Sequence, residues 1–121
     1  MTKILVVDDD PTLVELIRVT LKIKGYKVLT ANEARLGLNI MLKEQPDMAI
    51  IDYMMDDRDG LSLLKDIRSI VDFKNTPIIM LTASGAPDIV SKAIQYGVTD
   101  FMIKPFKVLM LLKRVEQYLK K

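Results

Sequence analysis

The chain has 121 residues, a mass of 13.8 kDa and a formal charge of +2, with half its residues apolar and 28% charged; a single globular domain over residues 1–121 is expected, with no strong pull toward nucleic acid or anionic membrane. It contains neither Cys nor His, which excludes disulfides, thiol nucleophiles, Ser-His-Asp triads, the usual zinc sites and a phosphohistidine of its own. No apolar run exceeds five residues, so neither a membrane span nor a signal-peptide core is expected, and the cytoplasm is the expected compartment.

Apolar blocks alternate in type along the chain. Ile4 to Val7 run without a polar break and predict a buried strand over 3–7. Asp10 suits an N-cap and Pro11 the first helical position; Leu13, Leu16, Ile17 and Leu21 then mark one helical face, and Gly25 fits the stop. A second strand is predicted over 26–30. Asn32 is the predicted cap of a helix to about Glu44, with Leu36, Ile40 and Met41 inward, Gly37 weakening it and Pro46 breaking it. Met48 to Ile51 form a third strand that ends at Asp52. After an acidic loop, Asp59-Gly60 opens a helix carrying Leu63, Leu64, Ile67, Ile70 and Val71. Pro77 precedes a strand over 78–81. Pro87 starts a helix with Ile89, Val90, Ala93 and Ile94 inward, closed by Gly97. The last strand spans 101–103, and Val108, Leu111, Leu112, Val115 and Leu119 mark the final helix. Tyr96, Phe101 and Tyr118 are expected on one surface, the eight Met as core filler, and Lys120-Lys121 as an exposed basic end.

Five strands alternate with five helices, and fully apolar strands spaced by helices predict an α/β fold with a parallel sheet covered on both faces. Right-handed crossovers leave two windings: the doubly wound order 2-1-3-4-5, or a sheet wound in a single direction. In the doubly wound order the strand ends converge on one edge, bringing together Asp8, Asp9, Asp52, Thr82 and Lys104.

The acids are lopsided. Twelve of the 16 are Asp, and seven of these fall in two clusters, Asp8, Asp9, Asp10 and Asp52, Asp56, Asp57, Asp59. Asp10 and Asp59 read as helix caps, Asp56 and Asp57 as a solvated loop. Asp8, Asp9 and Asp52 read as a site. Two carboxylates about 4 Å apart repel by about 4 kcal/mol at an effective dielectric of about 20, and a divalent cation is the natural compensation. All-oxygen donors favour Mg²⁺, Mn²⁺ or Ca²⁺, and a hydroxyl and a lysine nearby suit phosphate oxygens. One of the aspartates can then serve as a nucleophile toward phosphorus.

Four motifs in order resemble the receiver domain of two-component response regulators. They are Val6-Val7-Asp8-Asp9, Asp52-Tyr53-Met54-Met55-Asp56-Asp57-Arg58-Asp59-Gly60, Leu81-Thr82-Ala83 and Lys104-Pro105-Phe106. The resemblance covers the whole chain and implies the flavodoxin-like (βα)5 fold with order 2-1-3-4-5. It implies Asp52 as phosphoacceptor, with Asp8, Asp9, Asp52 and the Met54 backbone carbonyl around Mg²⁺, Mn²⁺ being an acceptable substitute. Thr82 and Lys104 would hold phosphoryl oxygens, and Thr82 with Phe101 would form the switch on the face of the fourth helix, fifth strand and fifth helix.

The implied partners are a sensor histidine kinase or histidine phosphotransfer protein, a downstream output protein or a C-terminal output domain, and a second copy on phosphorylation. Direct contact with nucleic acid or membrane is not implied. The chain departs from the family pattern in two places. Asp56 stands where a proline is usual, which loosens the loop and adds charge, part of which Arg58 is expected to offset. Phe101 stands where tyrosine is common, so its switching rests on packing alone. Met54 and Ser84 occupy variable positions that tune phosphate lifetime in that family.

Two rival readings stay open on the sequence. Asp8-Asp9-Asp10-Pro11-Thr12 also fits the opening motif of haloacid-dehalogenase phosphohydrolases, with Asp8 as nucleophile, although only Glu116 follows Lys104 as an acid. A pseudo-receiver that takes no phosphate would keep the fold without the chemistry.

Overall fold

The structure, a computed structural model, describes residues 1–119; the predicted basic end at Lys120 and Lys121 lies outside them. Runs of branched apolar residues become strands where both faces are covered. β1 (Lys3–Val7), β2 (Lys27–Ala31), β3 (Met48–Asp52), β4 (Ile78–Thr82) and β5 (Asp100–Ile103) alternate with α1 (Pro11–Ile23), α2 (Ala34–Glu44), α3 (Gly60–Arg68), α4 (Pro87–Gln95) and α5 (Val108–Leu119). All neighbouring strands pair in parallel, in the order β2-β1-β3-β4-β5. This is the doubly wound order, and it removes the single-direction alternative.

Alternation along each strand divides the core in two. Ile4, Val6, Ile50, Ile79 and Leu81 face Ile17 and Leu21 of α1 and Leu111, Leu112 and Val115 of α5. Leu5, Val7, Ile51, Ile78 and Met80 face Ala34 and Met41 of α2, Leu63, Leu64 and Ile67 of α3, and Ala93 of α4. Among the described residues, no helix is long and apolar enough to cross a membrane.

Helix ends follow local chemistry in most places. Asp10 accepts hydrogen bonds from the Thr12 and Leu13 N–H groups and caps α1, whose first residue is Pro11. Gly25, at φ +92°, takes the left-handed turn that follows the helix.

The α2 reading needs correction. Its N-cap is Glu33, without a side-chain hydrogen bond, rather than Asn32. Its buried face is Ala34, Gly37 and Met41, while Leu36 is exposed. The cause is close approach: a Cβ on Gly37 would lie 2.8 Å from Val7 Cγ2. The glycine that weakens the helix locally is the residue that seats it on β1.

Other apolar positions also turn outward. Leu16 of α1 is exposed. Val71 leaves α3 for a short 3-10 turn and is exposed, and Phe73 is buried in its place. Ile94 is exposed because α4 leads to the edge strand β5 and seats only Ala93 fully. The three aromatics divide as well: Tyr96 and Phe101 pack on the α2–α4 side, Tyr118 on the α1–α5 side.

Asp100 ties β5 to α5. Its Oδ2 accepts from Arg114 Nη1 and from Tyr118 Oη, both at 2.7 Å, and its Oδ1 accepts from the Phe101 N–H. Burial works to raise the Asp100 pKa, but the donors Tyr118, Phe101 N–H and Arg114 outweigh it and hold it below the ordinary carboxylate value.

Two expectations follow from these contacts. A methyl at residue 37 gains about 1 kcal/mol of helix propensity but meets a stiff, buried valine. Gly37→Ala is therefore expected to lose about 1 kcal/mol net in urea unfolding; an equal or higher midpoint would contradict the close α2–β1 contact. For Asp100, a depressed folded-state pKa means stability that is present above the ordinary carboxylate pKa and lost as pH falls through the folded value. Asp100→Asn should cost about 1–2 kcal/mol at neutral pH, and the gap to wild type should close in acid. A pH-independent gap would show that ionisation plays no part.

Candidate functional site

Parallel pairing sends every strand's carboxyl end to the same edge of the sheet. Val7 pairs with Ile51, so the next step in register sets Asp8 beside Asp52. One carboxylate oxygen from each of Asp8, Asp9 and Asp52 lies within 4.8 Å of the others. Asp8 and Asp52 are 1% and 5% exposed, and Asp9 faces solvent.

Lys104 closes the cluster. Its Nζ lies 2.9 Å from Asp8 Oδ2 and 3.0 Å from Asp52 Oδ1. Its backbone N–H donates to Thr82 O at 2.7 Å, and the Lys104-Pro105 peptide is cis. Thr82, 1% exposed, ends β4 beside it, and its Oγ1 accepts from the Ser84 N–H at 3.2 Å. The structure thus brings together five of the residues singled out from the sequence: Asp8, Asp9, Asp52, Thr82 and Lys104.

Burial pushes the Asp52 pKa above the ordinary carboxylate value; Lys104 pulls it back, and the charges of Asp8 and Asp9 add to the rise. Burial also opposes the charged form of Lys104, but Asp8 and Asp52 outweigh it and raise its pKa. The ammonium therefore stays charged between two buried carboxylates. Three carboxylates against one ammonium leave the cluster negative, with oxygen donors and no nitrogen or sulfur donor. That donor set suits a hard cation such as Mg²⁺.

The loop after Asp52 folds back on the strand end. Tyr53 N–H donates to Leu81 O at 2.7 Å, and Gly60 N–H to Tyr53 O at 2.6 Å. A Cβ on Gly60 would collide with the Asp52 carbonyl oxygen, so the return is open to glycine alone. Asp59 caps α3 through Ser62 N–H, as expected. The Met54 side chain is exposed in this loop.

Asp57 is exposed, as its reading as a solvated loop acid expects, but it also has partners far along the chain. Its Oδ1 and Oδ2 accept from the N–H groups of Ala34 and Arg35, each at 3.0 Å. Desolvation acts against its charge, and the N–H groups of Ala34, Arg35, Asp57 and Arg58 outweigh it and hold its pKa low. It caps α2 from another part of the chain. The one local hint was the lack of a good capping residue immediately before Ala34. Arg58 forms its ion pair with Asp66 of α3, at 2.7 Å.

Phe101 is half-buried and in register with Met80, on the sheet face that Thr82 shares by alternation. The phosphohydrolase reading fares worse. Both oxygens of its would-be nucleophile Asp8 are engaged, by Lys104 and by the Asp10 N–H at 2.9 Å. Glu116 lies on α5, where its charge reaches Tyr26 at the opposite end of the sheet.

Comparison with known proteins agrees with this geometry. The family model for the response regulator receiver domain matches residues 4–116. The transcriptional regulatory protein GlrR of Escherichia coli (strain K12) is 41% identical over 103 residues, covering 84% of this chain and 22% of the relative. The probable C4-dicarboxylate response regulator DctR of Priestia megaterium is 35% identical over 117 residues, covering 95% of this chain and 50% of the relative. The chain therefore spans half or less of these curated relatives.

Among solved structures, the chemotaxis protein CheY4 of Vibrio cholerae superposes with a TM-score of 0.93 at 34% identity, covering 98% of this chain and 99% of that one. The BeF3-activated N-terminal receiver domain of RstA from Klebsiella pneumoniae superposes with a TM-score of 0.89 at 26% identity, covering 99% and 100%. Sheet order, the edge that collects the acids, and a match over nearly the whole sequence lead to one conclusion: the chain belongs to the response regulator receiver domain family.

Proposed function

We propose that the chain is one receiver domain over residues 1–121, a phosphoacceptor switch in which Asp52 takes the phosphoryl group. The observation that carries this reading is the convergence of Asp8, Asp9 and Asp52 within 4.8 Å around a lysine that bridges two of them. Mg²⁺, or Mn²⁺ in its place, would be held by Asp8, Asp9, Asp52 and the Met54 carbonyl, and would supply neutralisation of the charge developing on the phosphoryl oxygens.

A carboxylate oxygen of Asp52 forms the bond to phosphorus. The P–N bond of a phosphohistidine on a sensor kinase or phosphotransfer protein breaks, and its electron pair leaves with the imidazole. Thr82 Oγ1 and Lys104 Nζ hold the phosphoryl oxygens. Drawing Thr82 toward the phosphoryl group opens space on the shared face, and Phe101 fills it by packing alone, since it has no phenol. The chain catalyses its own modification and is not otherwise an enzyme.

The output face is that of α4, β5 and α5. Ile94, Ile103, Leu109 and Met110 leave apolar surface exposed there, available to an output protein, an output domain or a second phosphorylated copy. This reading places the chain in the cytoplasm, with no direct contact to nucleic acid or membrane.

Intact mass after incubation with acetyl phosphate tests the acceptor. Wild type should gain one phosphoryl group with Mg²⁺ present, and Asp52→Asn should gain none. Labelling of the variant would move the acceptor elsewhere, to Asp8 if Asp8→Asn alone abolishes it, and no gain in wild type would favour a receiver that takes no phosphate. Because the folded-state pKa of Asp52 is raised, its ionised form costs stability above that pKa. Asp52→Asn should therefore melt higher without metal at neutral pH, and a melting curve measured beside the mass separates a missing label from unfolding.

Lys104→Ala tests the compensation. Without its bridging cation the metal-free protein should melt lower, and Mg²⁺ should raise its melting temperature more than that of wild type. Equal responses to Mg²⁺ would show that Lys104 does not offset the acids.

A further inference from the structure

We infer that Asp57 is a positioning residue for the metal site, tying the loop that carries Met54 to the N-terminus of α2. The inference rests on the metal-dependent reading of the acid cluster. Asp57 lies 22 and 23 positions from the residues it caps, and each of its oxygens takes one N–H, from Ala34 and from Arg35. α2 supplies no side-chain cap of its own, since Glu33 is extended and makes no cap bond. The tether thus satisfies donors that are otherwise orphaned at the helix start, and it fixes the loop in return.

The other end of the tether is anchored. Ala34 is buried, and Gly37 brings α2 against Val7, the residue immediately before Asp8. A closed path runs from Asp8 through Val7 to α2, across to Asp57, and back along the loop to Met54 and Asp52. Both sides of the cation site are thereby held to one helix. Position 56 is Asp, so no pyrrolidine ring fixes the loop backbone there. The loop is also held at its ends, at Tyr53 and at Asp59-Gly60, and in its middle by Met55 in the core and by Arg58 on Asp66 of α3. Of these residues Asp57 is the one that bonds the loop to α2. Groups that orient metal ligands without touching the metal change affinity by about tenfold or more when removed.

Amide NMR titration with Mg²⁺ tests this on wild type, Asp57→Ala, Asp57→Asn and Asp56→Asn. In wild type, Mg²⁺ should shift the Ala34 and Arg35 amides in step with those of Asp9 and Gly60. Asp57→Ala should bind Mg²⁺ about tenfold more weakly, and its Ala34 and Arg35 amides should no longer respond. Asp57→Asn keeps one acceptor oxygen and should fall between. Asp56→Asn removes the same formal charge from an exposed neighbour and should stay within about twofold of wild type, as a screened surface charge does.

Wild-type affinity in Asp57→Ala would overturn the proposal. So would equal losses in Asp56→Asn and Asp57→Ala, which would make the effect one of charge. Should Asp57→Ala not fold, the isosteric pair Asp57→Asn and Asp56→Asn decides alone, because the two carry equal charge and differ in the tether. Absence of Mg²⁺ binding by wild type would instead overturn the metal reading on which the inference rests, a result distinct from the others.

Discussion

Two carboxylates buried side by side at a sheet edge stay ionised together only with a cation between them. Asp8 and Asp52 are in that position because β1 and β3 are parallel neighbours in register, and Lys104 is the cation. Breaking a buried ion pair leaves an uncompensated charge and is strongly destabilising. The placement of Lys104 therefore bears on the stability of the fold as well as on any chemistry at the edge. That placement depends on β5 pairing with β4 and on the bond from the Lys104 N–H to Thr82 O. The last strand of the sheet thus completes a site begun by the first.

The same cluster is incompletely neutralised. One ammonium faces three carboxylates, and Asp9 stands toward solvent. An arrangement that is stable enough to fold but still negative is poised for a further positive partner, which gives the proposed metal-dependent phosphoryl chemistry its physical footing. The loop from Asp52 to Gly60 is pinned close to the strand end by backbone bonds and by a glycine that tolerates the Asp52 carbonyl. α2, seated on β1 through Gly37, is joined to that loop by Asp57. Loop, helix and strand behave as connected parts, so the geometry of the edge is shared among them.

The β5 side of the sheet is less enclosed. α4 fully buries only Ala93, and Ile94, Ile103, Leu109 and Met110 remain at the surface. Phe101 is half-buried at that edge, on the face of Thr82. Asp100, the residue before it, is held by Arg114 and Tyr118. A half-buried side chain thus lies next to an anchored residue, a combination that on the proposed reading suits reporting a change at Thr82 without unfolding the strand. On the proposed reading, low burial on this side is what leaves room for a second conformation.

The sequence by itself determined the element order, the parallel class of the sheet and the identity of the strand-end residues. These follow from unbroken apolar runs, from Pro and Gly at the breaks, and from Asp at strand ends, all of which are local signals. It left the winding open between two orders on physical grounds, and the resemblance to receivers chose correctly. Tertiary structure decided the rest. Gly37 reads as a weak point in a helix until β1 is brought to it, and Leu36, Val71 and Ile94 satisfy an apolar period that packing leaves exposed. Asp57 is solvated as it reads, but its capping role is hidden because its partners lie more than 20 positions away. Hydrophobic period and capping preference are properties of neighbours in the chain, whereas close approach and long-range caps are properties of neighbours in space, and only the folded chain defines those.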